Sequence, residues 1–284
     1  MIPNKFDYHR ATSVDEAIRL MAQHGMDAKL LAGGHSLLPA MKLRLNQPGV
    51  LVDIGRLPEL RYIKKEGNDL VIGAGATHDD IANSEVAHST LSMLSEAANL
   101  IGDVQVRNKG TLGGSLAHAD PAADWPAVMI AANARIELRG PNGSRTVPAD
   151  DFFTGFYTTA LEDNEIITSI RIPSPPKGTH SSYQKFMQPA SRFAIVGCAA
   201  SITTDGGICQ KVSVAFTGLS DAAFRASNVE AALTGKKLTE ENIAAAAHVA
   251  GEGVMAMGDH FASEEYRLHL AKVFAKRALM AAAE

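Results

Sequence analysis

The sequence predicts an α+β protein, on three observations. A strand–helix–strand unit opens the chain, and a stretch with hairpin signals follows. Past a proline-rich linker, strand patterns come first and helices last, the order of an antiparallel sheet backed by helices. In the first unit, Ser13 and Glu16 make a capping box. Val14, Ala17, Ile18 and Met21 then share a helical face, and Gly25 ends the helix. Lys29-Leu30-Leu31 and Val50 to Ile54 read as short buried strands. From about Leu60 the texture changes. Tyr62-Ile63 and Leu70-Val71-Ile72 flank Gly67-Asn68, a hairpin signal. Thr77 caps a short helix through Asp80, and a longer helix covers roughly Leu91 to Leu100. Pro121, a favoured first-turn residue, opens a helix through Trp125 and Met129. Arg135 to Leu138 is a strand ended by Gly140-Pro141-Asn142-Gly143, and Ile166 to Ile172 alternates as a strand does. Pro173-Ser174-Pro175-Pro176-Lys177-Gly178 is the clearest linker and marks the main domain boundary. Beyond it, Ala194 to Thr203 and Val212 to Thr217 are β-like, joined through Asp205-Gly206-Gly207. Ser227 and Glu230 make a second capping box, and helices near Glu230, Ile243 and Tyr266 to Leu279 complete the domain.

Composition narrows the function. The chain has 284 residues, of which 46% are hydrophobic, enough for a real core. A net charge of -4 provides no broad basic field and argues against nucleic acid as a partner. The two cysteines, Cys198 and Cys209, are too few for a disulfide framework, a cysteine-ligated zinc site or an iron–sulfur cluster. The N-terminus has no apolar signal-peptide core, and no stretch approaches the ~20 apolar residues of a membrane span. A cytoplasmic protein with no transmembrane segment is expected.

Two glycine-rich loops carry the chemistry: Ala32-Gly33-Gly34-His35-Ser36 and Thr111-Leu112-Gly113-Gly114-Ser115. Adjacent glycines let the backbone approach a ligand closely, and successive N–H groups can converge on an anion. Either loop alone reads as a tight turn. The pair suggests a phosphate-bearing cofactor held from two sides. Gly73-Ala74-Gly75 lacks the third glycine of a dinucleotide fingerprint, and Gly235-Lys236 lacks the P-loop context. His35 and Ser36 are candidate phosphate donors, with a helix N-cap the alternative for Ser36. His118, Asp120 and Asp124 match no metal-ligand spacing. Asp124 suits a hydrogen bond to a ligand hydroxyl, or a helix-start carboxylate favoured by the dipole. Arg107 reads equally as an anion holder or a surface ion-pair partner. Lys185 reaches a cofactor between domains or is a solvated strand lysine. Phe193 is a core residue or an aromatic lid, and core is the plainer reading.

The segment from Gln105 to Asp124, with Ala32-Gly33-Gly34-His35-Ser36-Leu37-Leu38-Pro39, closely resembles the FAD-binding medium subunit of aerobic carbon monoxide dehydrogenase-like molybdenum hydroxylases. The wider group includes the flavin domain of xanthine dehydrogenase. The resemblance spans the chain, from Pro3, Phe6 and Tyr8 to Tyr183-Gln184-Lys185-Phe186. It implies a two-subdomain FAD-binding domain of the vanillyl-alcohol-oxidase/xanthine-dehydrogenase (PCMH) type over 1–177, divided near 57/58. A flavoprotein C-terminal domain would cover 178–284. It further implies that Ala32 to Ser36, with Lys29, Leu30 and Leu31 alongside, and Thr111 to Ser115, including Gly113 and Gly114, hold a non-covalent FAD diphosphate. Asp124 would bind the cofactor's polar end, a backbone contact would fall near Ile167, and Lys185 would come from the last domain. Phe193 stands where many relatives place a tyrosine, which keeps stacking and removes the phenol hydrogen bond. Ser115 replaces the asparagine of xanthine-dehydrogenase relatives. No catalytic residue and no metal site is expected on this chain. The resemblance places molybdenum-pterin on a large partner and two [2Fe–2S] clusters on a small one, in a dimer of heterotrimers. A stand-alone FAD-dependent oxidoreductase and a flavin-free scaffold are the competing readings.

Overall fold

Three parallel strands, Asp7–Arg10, Val50–Asp53 and Ala28–Leu31 in that spatial order, form the first sheet of the computed structural model, which describes residues 2–284. The helix Val14–His24 packs Val14, Ala17 and Ile18 onto this sheet, while Met21 is only half-buried. Its N-terminus corrects the expected capping box. The Ser13 hydroxyl accepts the Glu16 amide at 3.1 Å, but the Glu16 carboxylate takes the amide of Thr12, at 2.7 Å, instead of that of Ser13.

A five-stranded antiparallel sheet follows, in the order Ile63–Glu66, Asp69–Gly73, Ile166–Ile172, Arg135–Gly140, Gly143–Pro148. The expected hairpin turns at Gly67, with φ 59. The expected strand Ile166–Ile172 carries a bulge between Ile167 and Ser169, so the inward phase changes partway along. The apolar helix Asp124–Ala131 is buried along its whole length. Its start differs from the expectation, because Pro121 precedes it by three residues. The Asp120 carboxylate accepts the Ala122 amide at 2.9 Å, and the carbonyls of Pro121 and Ala123 both accept the Thr217 hydroxyl. Those bonds fix 120–123 as a turn.

After 173–178, a four-stranded antiparallel sheet runs in the order Thr179–Met187, Ala194–Asp205, Ile208–Thr217, Phe224–Arg225. Gly206 and Gly207, both at positive φ, make its central turn. The helices Ser227–Leu233, Glu240–His248 and Glu264–Ala283 cover it. The second expected capping box does not form. The Glu230 carboxylate accepts the Val214 amide at 2.8 Å and the Arg225 guanidinium at 3.0 Å, because the neighbouring sheet offers a stronger set of donors. No helix among the described residues is long and apolar enough to cross a membrane.

Candidate functional site

The first glycine loop leaves the edge strand Ala28–Leu31 and enters the short helix Leu37–Lys42. Gly34 lies at φ 75, which turns the chain within one residue. Ser36 occupies the N-cap position, yet its hydroxyl makes no capping bond. The amides of Gly33, Gly34, His35, Ser36 and Leu37 donate to no acceptor among the described residues. Successive free N–H groups in a turn can converge on an anion. Ala32, Gly33 and Gly34 are half-buried, while His35 and Ser36 are exposed. A Cβ on Gly33 would lie 2.1 Å from the Lys109 carbonyl oxygen and 2.8 Å from the Gly110 Cα. The first glycine loop is therefore in backbone contact with the two residues that lead into the second.

The second loop spends four of its five amides inside the protein. Leu112 donates to the Ala76 carbonyl at 3.0 Å and Gly113 to the Ala74 carbonyl at 2.8 Å. Gly114 donates to the Thr111 hydroxyl at 3.1 Å and Ser115 to the Thr111 carbonyl at 3.0 Å. Gly113 is buried, and a Cβ there would meet that of Ala74 at 2.6 Å. Gly114 is exposed, with only the Thr111 hydroxyl near its missing Cβ. The Thr111 oxygen accepts, so its proton remains available, and the half-buried Ser115 hydroxyl has no partner among the described residues. The loops thus differ: the first offers amides, and the second offers hydroxyl groups on a braced backbone.

The brace includes His78, which the sequence reading did not single out. Its amide donates to the Gly110 carbonyl at 3.0 Å, and its ring leaves no room for a Cβ on Gly110. The ring Nδ1 accepts the Trp125 indole N–H at 3.0 Å. Indole is a donor only, so Nδ1 must be unprotonated. Burial, helped by the nearby charges of His35 and Arg107, lowers the His78 pKa to about 4. A depressed histidine pKa gives stability that is present above the unfolded value, ~6.5, and lost as pH falls through the folded value. Unfolding midpoints are therefore expected to drop between pH 6.5 and about 4. His78→Gln, which keeps an acceptor for Trp125, should flatten that slope; an unchanged slope would remove His78 as its source. Arg107 forms no ion pair among the described residues; one nitrogen of its guanidinium donates to the carbonyls of Ile101 and Gly102 at 3.0 and 3.2 Å.

Asp124 and Lys185 meet directly, with Nζ 2.9 Å from Oδ1 and both side chains buried. The solvated-strand reading of Lys185 is therefore overturned. Tyr183, two residues earlier on the same strand face, donates its hydroxyl to Asp124. Burial pushes the Asp124 carboxyl up from its ordinary range, while the Lys185 charge and the Tyr183 hydroxyl pull it back. The Tyr183 phenol is pushed well above its ordinary value by burial and by the Asp124 charge. Lys185 also donates to the Arg192 carbonyl at 2.7 Å, which ties down the turn before Phe193. The Arg192 guanidinium pins that turn to the Gly102 carbonyl at 2.9 Å.

Phe193 is 43% exposed, which overturns the core reading. Its neighbour Ala194 donates to the Ala122 carbonyl at 3.1 Å, so the backbone here runs beside the segment leading into Asp124. Ile167 is buried at the strand bulge, and the next carbonyl, that of Thr168, accepts the Ala74 amide beneath Gly113. Lys29 is exposed on the edge strand, with Leu30 and Leu31 half-buried. Tyr183 could have been found from sequence by its spacing of two from Lys185. His78 carries no comparable signal.

This geometry is matched over most of the chain. The family of the FAD binding domain in molybdopterin dehydrogenase matches residues 4–175, and the CO dehydrogenase flavoprotein C-terminal domain matches residues 181–282. The chain belongs to the molybdopterin-dehydrogenase FAD-binding family. Within it, the carbon monoxide dehydrogenase medium chain of Hydrogenophaga pseudoflava is 45% identical over 282 residues, covering 99% of this chain and 98% of the relative. A subunit of the 6-hydroxypseudooxynicotine dehydrogenase complex of Paenarthrobacter nicotinovorans is 36% identical, with 98% and 95% covered. A solved structure of carbon monoxide dehydrogenase from H. pseudoflava superposes with a TM-score of 0.96 at 48% identity, covering 99% of this chain and 98% of that one. These relatives are dehydrogenase subunits, and the family is one of oxidoreductases. The PCMH-type fold expected from the sequence and the FAD-binding medium-subunit character both hold for this family member.

Proposed function

We propose that this chain receives electrons from the [2Fe–2S] clusters of a small partner subunit and passes them through a non-covalent FAD to an external acceptor. A large partner would hold the molybdenum-pterin site and meet the substrate, in a dimer of heterotrimers in the cytoplasm. The observation that carries the flavin assignment is the run of five unpaired amides from Gly33 to Leu37, which begins against Lys109 and Gly110 at the entry to the second glycine loop. A diphosphate fits those amides on one side and the Thr111 and Ser115 hydroxyl groups on the other. Bound FAD supplies the redox chemistry and accepts one or two electrons. The residues of this chain bind and orient it. Lys29 adds a cation beside the first loop, and the Ile167 backbone lies by the strand bulge near the second. The exposed Phe193 ring offers a flat apolar face. Asp124 reaches the cofactor's polar end only together with Lys185 and Tyr183, since all three share one buried network. A boundary at 177/178 separates the flavin domain from the C-terminal domain that contributes Lys185 and Phe193.

Neither cysteine is placed to link a flavin, because both lie in the C-terminal core and burial pushes the Cys198 thiol up. Acid precipitation of the yellow protein should therefore leave the pellet colourless and the flavin in solution. A yellow pellet would refute non-covalent binding, and a colourless native protein would favour the flavin-free scaffold. The purified chain should be reduced by dithionite and reoxidised by an added acceptor, yet oxidise no organic substrate by itself. Substrate-dependent bleaching of the flavin in the single chain would favour the stand-alone oxidoreductase. Restoring both partner chains should couple substrate oxidation to flavin reduction.

A further inference from the structure

Four exposed large apolar side chains lie on the segments that enter one end of the N-terminal sheet. Ile2 is 82% exposed, Met26 92%, Leu43 53% and Leu45 79%. The parallel register aligns Asp7, Ala28 and Val50, so the three connections that enter these strands lie at a single end. Ile2 belongs to the first connection, Met26 to the second, and Leu43 and Leu45 to the third. Hydrogen bonds tie the connections together. The Asn4 side chain donates to Gln47, whose own amide donates to the Arg44 carbonyl at 3.1 Å. The Asp27 carboxylate accepts the Gly49 amide at 2.9 Å, and the Gly49 carbonyl accepts the Asp7 amide at 2.7 Å.

Leu45 shows that this exposure is built into the turn. Arg44 ends the helix Leu37–Lys42 in the left-handed region, at φ 62. An apolar residue after such a cap commonly packs back on its own helix. Leu45 stands out in solvent instead. The patch also has a rim in which cations outnumber acids. Lys5, Lys42 and Arg44 are exposed and make no ion pair among the described residues. The nearby acids are Asp7 and Asp27, and Asp27 already accepts the Gly49 amide. This local cationic rim sits on a chain whose net charge is -4.

We infer that this end of the first sheet is a docking surface for a partner subunit that presents an apolar centre ringed by carboxylates. Clustered large apolar side chains with a polar rim have the anatomy of a protein interface, and the unpaired cations select an acidic counterpart. The inference rests on the reading of this chain as one subunit of a complex. The surface is separate from the cofactor loop, because Ala32 leaves the opposite end of the same strands, about 13 Å away for four extended residues. Its loss should therefore leave the flavin in place.

The test is assembly of the full chain with its own large and small partner chains, followed by light scattering and a binding titration. Met26→Asp combined with Leu45→Asp should weaken assembly at least 30-fold, with flavin content and melting temperature unchanged. Lys42→Glu combined with Arg44→Glu should also weaken it and flatten its dependence on salt. Normal assembly of the Asp variant, where the wild type assembles, overturns this surface and leaves the subunit reading standing. Failure of the wild type to assemble overturns both. Two other outcomes reject a partner subunit as the occupant. One is normal assembly with loss of binding to phosphatidylglycerol vesicles. The other is normal assembly with loss of self-association.

Discussion

A Gly33→Val chain is expected to purify without flavin. The new Cβ would stand 2.1 Å from the Lys109 carbonyl oxygen and 2.8 Å from the Gly110 Cα. Both obstacles are backbone, and His78 and Trp125 hold that backbone from below. Relief requires the two loops to part, which spoils the facing arrangement of amides and hydroxyl groups. Each charge-assisted hydrogen bond lost costs roughly 1.5–3 kcal/mol. Two such losses correspond to a flavin Kd raised at least ~100-fold. Gly114→Val separates this from a folding defect. Its Cβ meets only the Thr111 hydroxyl, at 2.7 Å, on an exposed helix turn, so folding should be nearly intact while flavin retention falls. Flavin content and fluorescence titration measure the first effect, and urea unfolding the second. Stoichiometric flavin at unchanged affinity in both variants would show that the loops do not hold it.

Lys185→Met is expected to give the largest loss of stability at a single buried site. It leaves the Asp124 carboxylate buried with only the Tyr183 hydroxyl beside it. Removing one partner of a buried pair costs roughly 3–5 kcal/mol, because the other charge stays uncompensated. The Asp124 carboxyl is already raised by burial, and without the lysine it rises further. A carboxyl raised on folding is tolerated in its neutral form, below the unfolded value of ~3.9, and becomes a liability as pH climbs through the folded value. The variant should therefore lose stability as pH rises above the ordinary carboxylate range. Adding Asp124→Asn should return much of the lost stability, since no buried charge is then left alone. Urea unfolding of the wild type, both single variants and the double variant closes the cycle. A double variant that is less stable than Lys185→Met would mean that the pair is not the source of the loss.

Much of the architecture was legible before any coordinate. Lys29 to Leu31, Val50 to Ile54, the Gly67-Asn68 turn and the Gly206-Gly207 turn are local signals, and each falls where the chain forms the expected element. The errors share one cause. Glu16, Glu230 and Pro121 each carry a local cue that a distant or competing partner overrides. Glu16 turns to Thr12, Glu230 to the neighbouring strand, and the Pro121 carbonyl to Thr217. Local propensity is worth a few tenths to about 1 kcal/mol, which a single hydrogen bond to a partly buried carboxylate equals or exceeds.

The sequence by itself determined the family, the two glycine loops and the absence of cysteines sufficient for a cluster, because these depend only on which residues occur and in what order. Tertiary structure alone decided how the loops differ. Both contain Gly-Gly followed within two residues by a hydroxyl side chain. One keeps its amides free at the end of an edge strand. The other gives them to Ala74, Ala76 and Thr111. It also decided that Lys185 and Phe193 part company, one buried against Asp124 and the other exposed. The physical reason is that a hydrogen bond's availability and a side chain's solvation are properties of what packs beside them. In this chain those neighbours come from segments tens of residues away.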